Sequence, residues 1–156
     1  HLDSFTKYKL YMAYVHSHVI YGINLWGPMS SDTQIKKLRC MLESIIRQSN
    51  MLEVHQKKIF DIKPLIQMYE VQLIYKMVNK LMPENLNIDF SYATVGRKMK
   101  NIKLPKVKTT QYHKSVFFQG LKLWNVLPDN IQRSQSFHSF KINIKKYFVK
   151  LDEKDH

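Results

Sequence analysis

Seven histidines, one cysteine and twelve carboxylates are the residues of this 156-residue chain from which acid–base, nucleophilic or metal chemistry could be built. Their spacing does not assemble any of it. His16 and His18 stand two apart, so on a helix they point about 200° from one another and cannot chelate jointly as an i, i+4 pair would. They read as structural histidines. His55 and His113 have no neighbouring carboxylate and nucleophile from which a triad could be drawn. Cys40 falls inside a helical pattern and reads as a small core residue; as the only cysteine it supports neither an internal disulfide nor a zinc knuckle. Asp61, Asp89 and Asp129 are solitary, whereas two-metal polymerase or nuclease chemistry needs clustered carboxylates. Gly22, Gly27, Gly96 and Gly120 are too sparse for a phosphate-cradling loop. The expectation is therefore a chain with no catalytic residue, no metal site and no cofactor.

The informative chemistry is electrostatic. Twenty-five Lys and Arg against 12 Asp and Glu give a formal charge of +13, a field that attracts polyanions. From Phe90 to Pro128 there is no acidic residue, while Arg97, Lys98, Lys100, Lys103, Lys106, Lys108, Lys114 and Lys122 all lie inside that stretch. Several mobile cations on one surface displace the counterions condensed on a nucleic acid and gain affinity from their release. Tyr92, Tyr112, Phe117 and Phe118 are interleaved with them as candidates for stacking on exposed bases. Of these, Phe117 reads as core and Tyr112 as open. Arg97, Lys98, Lys100, Lys103, Lys106, Lys108, Lys114 and Tyr112 are the candidate nucleic-acid-binding residues. Two competing accounts stand beside this one: a solvated lysine face over ordinary core aromatics, and codon bias of an A/T-rich genome, since Lys, Asn, Ile and Tyr are all abundant.

The elements that must position these residues read as helices. Phe5, Tyr8, Met12, Val15, Val19, Ile23 and Trp26 recur at steps of three and four behind an Asp3 or Ser4 cap, predicting a helix ended by Gly27-Pro28. A second, amphipathic and basic, runs from about Thr33 to Gln48 behind Ser30, Ser31 or Asp32, with Ile35, Leu38, Leu42 and Ile45 as its stripe. Glu53 to Phe60 offers a helical turn or two. Pro64 to Met82 is apolar nearly all round and belongs in the centre of a bundle. Pro83 through Gly96 reads as loop, and residues 101–110 as an edge strand or hairpin broken at Pro105. A helix from Lys114 stops at Leu127-Pro128, with Gly120 permitting close approach of another element. A last helix from about Ser136 has Phe137, Phe140, Ile144, Tyr147 and Leu151 along one face. The expected fold class is all-α, mainly a helical bundle, with at most a short β-hairpin near residues 101–110. The expected organisation is one helical module over 1–156, made of a bundle half (1–83), a basic loop or hairpin (84–113) and C-terminal helices (114–151).

No apolar run approaches the ~20 residues that span a bilayer, and no signal peptide is recognisable at the start. The chain is expected to be intracellular, with no membrane partner.

Two blocks carry a resemblance. The first is Tyr14-Val15-His16-Ser17-His18-Val19-Ile20-Tyr21-Gly22 followed by Leu25-Trp26-Gly27; the second is Lys114-Ser115-Val116-Phe117-Phe118-Gln119-Gly120, Leu123-Trp124-Asn125, Leu127-Pro128 and the Phe137 to Lys141 ending. In these the chain resembles the reverse transcriptases of non-LTR, long-interspersed-element type retrotransposons, in the thumb and post-thumb region behind the polymerase palm. Between them, Leu38 to Arg47 is similar to a family helix but lacks its usual glutamine, and Arg97-Lys98 stands where the family often has Thr-Arg. The resemblance implies a segment that is no enzyme on its own. It would grip template RNA, primer-template or target DNA, while an upstream polymerase domain of the same polyprotein, absent from this chain, does the synthesis. It implies residence in a nuclear and cytoplasmic ribonucleoprotein. A reading from another class is a basic protein-interaction module docking on an acidic partner or on the rest of a polymerase.

Overall fold

A computed structural model describes residues 2–53, 61–86, 88, 90, 92–94, 100–106 and 108–152. They form a mainly helical protein with one two-stranded ribbon, the all-α class expected. The chain divides into two compact units, residues 1–66 and 67–156.

In the first unit, α1 (Ser4–Leu10) starts at Asp3, whose carboxylate accepts from the amides of Phe5 and Thr6 and thereby satisfies donors left over at a helix start. A π-helical turn (Tyr11–His16) and α2 (Ser17–Ile20) continue it. The single helix expected through Trp26 is interrupted: Gly22 takes φ +63°, a left-handed conformation that glycine adopts without a Cβ penalty, and α3 (Ile23–Trp26) restarts behind it. The Trp26 indole N–H donates back across the break to the Tyr21 carbonyl at 3.1 Å.

Helix α4 (Asp32–Ser49) is fixed at its start by a capping box: the Ser31 hydroxyl accepts from the Gln34 amide, and the Gln34 side chain accepts from the Ser31 amide. Asn50 closes it in the left-handed region at φ 54°. None of its residues is buried. Cys40, expected in the core, is exposed. It sits two residues from both Leu38 and Leu42 and so faces away from the apolar stripe. Arg39 pairs with Asp61, whose carboxylate also accepts from the Ile62 amide. The stretch Glu53 to Phe60 lies, beyond Glu53, outside the described residues.

Helix α5 (Ile62–Val78) has Pro64 in its first turn and is apolar nearly all round, as its sequence predicts, but it ends at Val78, short of the expected Met82. Of its residues in the second unit, Met68, Val71, Ile74 and Tyr75 are buried. Tyr75 stacks on Phe140 with centroids 4.2 Å apart and lies 6.3 Å from Trp124, and its hydroxyl donates to the Ser134 carbonyl at 2.8 Å. Trp124 comes from α7 (Val116–Val126), which follows a one-turn α6 (Thr110–His113); Phe140 comes from α9 (Phe137–Asp152), and Ser134 from the turn between it and a one-turn α8 (Asp129–Gln132). Neither single turn is visible in the hydrophobic period. Gly120 supplies the close approach expected of it: a Cβ there would meet Ile74 Cγ1 at 2.7 Å and the Glu70 carbonyl oxygen at 3.1 Å.

The ribbon pairs β1 (Tyr92–Thr94) with β2 (Lys100–Ile102) antiparallel, Tyr92 opposite Ile102 and Thr94 opposite Lys100. The expected hairpin is thus displaced: its first strand lies in the stretch read as loop, and its second ends at Ile102, well before Pro105. A proline has no amide to give a ladder, and residues 103–106 continue without strand pairing.

The Gln67–His156 unit also buries an acid. Glu70 is 4% exposed, and burial pushes its carboxyl up to about 7. A folded-state value above the unfolded one means that the folded chain holds an extra proton between about pH 4.5 and 7, so this group's contribution to stability is present below that window and is lost as pH rises through it. Glu70→Gln removes the dependence. Urea unfolding across pH 5 to 8 should show the variant gaining on the parent chain by on the order of 3 kcal/mol; parallel profiles would contradict the burial argument.

Candidate nucleic-acid interface

Within the second unit, one side chain pairs with the backbone of the strand from which the basic stretch continues. Asn125, in the last turn of α7, accepts from the Ile102 amide at 3.0 Å and donates to the Ile102 carbonyl at 2.9 Å. Its carboxamide thus occupies the place of a peptide group on a missing third strand. Ile102 is 2% exposed, and side chains alternate sides along extended chain, so anchoring Ile102 inward sends Lys103 outward. Lys103, Lys106 and Lys108 are all exposed.

Downstream, α6 and the start of α7 carry a cluster of rings and cations. Ser115 caps α7 by accepting from the Phe118 amide at 3.2 Å. Phe118 is met edge-on by His113 at 4.6 Å and by Tyr112 at 6.3 Å, and the Lys122 ammonium lies 5.3 Å from its centroid. The Gln119 side chain donates to the His113 carbonyl, tying α6 to α7. Lys114, which ends α6, is exposed. Phe117 is half-buried and stacks on Phe90 at 6.2 Å.

Of the residues singled out from sequence, Lys103, Lys106, Lys108, Lys114 and Tyr112 are exposed, and Lys100 has its backbone in β2. Arg97 and Lys98 lie outside the described residues. Tyr112 is 37% exposed and is open to a ligand. Phe118, offered as a stacking residue, is 5% exposed; its ring is spent on packing, and it cannot also receive a base. Asn125 is not visible as an anchor from sequence, because the residue it pairs with is 23 positions away and no periodicity signals such a pair. Lys122 joins the cluster for a legible reason: it stands one helical turn from Phe118.

Among the described residues no group of three His, Cys, Asp or Glu side chains could hold a metal ion. No described helix is long and apolar enough to cross a membrane. Compared with protein-family models, curated proteins and solved structures, the chain matches none.

The amide anchor is testable through stability. Asn125→Leu keeps the side chain's approximate size but leaves the Ile102 N–H and C=O unpaired while buried, and should cost on the order of 2 kcal/mol in denaturant unfolding. A loss below about 0.5 kcal/mol would mean that water replaces the amide freely.

Proposed function

We propose that this chain is a non-catalytic nucleic-acid-binding segment of a retrotransposon reverse transcriptase, gripping template RNA, primer-template or target DNA. The observation that carries the reading is the acid-free stretch Phe90 to Pro128, in which Lys103, Lys106, Lys108 and Lys114 are exposed downstream of the amide-anchored Ile102. Phosphate contacts of this kind supply affinity and register without sequence readout, and a half-open ring such as Tyr112 adds base stacking that every base can use. The two sequence blocks that resemble the thumb and post-thumb region of the non-LTR enzymes support the assignment to a polymerase. On this reading the partner is the upstream polymerase domain of the same polyprotein, which supplies the metal-binding carboxylates.

One observation favours a second reading for residues 1–66, docking on an acidic protein surface. Helix α4 buries none of its residues, and Met41 and Ile45 are exposed, as are Tyr21 and Leu25 upstream. Lys36, Lys37 and Arg47 on the same helix make an acidic occupant the complementary one.

For the first reading, Lys103→Glu, Lys106→Glu and Lys108→Glu combined should weaken binding to labelled RNA, DNA and hybrid. The combination should also lower the slope of log affinity against log salt by about three. Unchanged affinity and slope would remove the assignment. For the second, a titration with an amphipathic Leu/Glu helical peptide should show Met41→Ser with Ile45→Ser losing affinity about tenfold or more; equal affinity for the parent chain and this variant excludes that face.

A further inference from the structure

Phe137 opens α9 at the outer end of an aromatic stack. Its ring lies 5.9 Å from that of Tyr75 at 30°, and Tyr75 in turn stacks on the fully buried Phe140. Two ammonium groups from different helices sit over this one ring: Lys76 Nζ, from the last turn of α5, at 4.8 Å from the centroid, and Lys141 Nζ, one turn along α9, at 4.9 Å. The two charges are therefore within about 10 Å of each other, a Debye length at moderate salt. Among the described residues neither forms an ion pair with a carboxylate. Cations gathered without a counter-charge repel, and a shared anion relieves that repulsion. Each cation–π contact also limits the freedom of a long side chain, so less ordering is left for a ligand to impose.

We propose that Lys76 and Lys141, mounted on Phe137, form a second phosphate-binding locus, outside the acid-free stretch, that takes neighbouring phosphates of a nucleic-acid backbone. Phosphates of one strand follow at about 3.4 Å along a duplex axis, so two ammonium groups this close can neutralise neighbouring ones. The first turn of α9 adds the positive end of the helix dipole to the attraction, while Ser136 already accepts from the Ser139 and Phe140 amides. Lys141 is exposed and Lys76 half-buried, and His138 beside Phe137 is exposed, whereas Arg133 is paired with Asp129. The locus rests on the nucleic-acid reading above.

The test uses the whole chain, a labelled DNA duplex and a labelled RNA strand, each titrated between about 50 and 200 mM salt. Lys76→Gln with Lys141→Gln should lower the slope of log affinity against log salt by about two, and Lys76→Arg with Lys141→Arg should keep it. Where the double glutamine variant loses its helical circular dichroism, Lys141→Gln alone, at an exposed position, should lower the slope by about one. A parent chain that binds with a steep slope, and a folded glutamine variant with the same slope, overturn the locus and leave the nucleic-acid reading standing. A parent chain that binds neither probe overturns both. Loss of binding confined to phosphatidylserine vesicles overturns it in favour of a membrane surface.

Discussion

The stacking of Tyr75 on Phe140, with the Tyr75 hydroxyl donated to the Ser134 carbonyl, is the contact on which the rest of the Gln67–His156 unit depends. It joins α5 to α9 by ring contact and to the turn before α9 by a hydrogen bond, and Trp124 of α7 tilts against both rings. A buried tyrosine contributes both apolar area and a polar tip that needs a partner, so this one residue fixes two neighbours at once. Gly120 lets α7 come close enough to α5 for Trp124 to reach it. Asn125, one residue beyond Trp124, is then delivered to Ile102, and the lysines after Ile102 inherit their outward direction from that chain of contacts.

Much of this was legible in the sequence wherever a burial pattern spans several turns. The Ser31 cap with its apolar stripe, the spacing of Phe117, Gly120, Leu121 and Trp124, and the Phe137 to Ile144 face follow a period of 3.6 that fits a helix, while the apolar run after Pro64 is read as a helix from its length and its proline in the first turn. Three kinds of feature were not legible. Gly22 ends a helix by a backbone conformation, and a glycine within a continuing stripe does not announce that choice. The β1 partner of β2 is chosen by pairing across the chain, while local composition around Tyr92 reads as loop. The residue type of Cys40 favours the core, but its position opposite the α4 stripe puts it in solvent.

The candidate interface divides in the same way. Its charge is a property of composition and was visible at once; its geometry depends on one amide and on ring contacts that no spacing rule encodes. By that division composition marks the exposed lysines as a group, whereas Phe118, a stacking candidate from sequence and adjacent to half-buried Phe117, is core. Neighbouring helical residues differ by about 100° in direction, enough to turn one ring into the core and leave the other at its margin.

The ribbon has a further consequence. A two-stranded sheet leaves unpaired peptide groups along its edges, and such edges invite a strand from another molecule. Here the second strand begins at Lys100, the chain beyond it carries Lys103 and Lys106 around Pro105, and the Asn125 carboxamide takes up both hydrogen-bonding groups of Ile102. Like charges opposite one another and a residue without an amide both disfavour edge-to-edge pairing. The lysines proposed to meet a polyanion thus also disfavour the addition of identical chains along this edge.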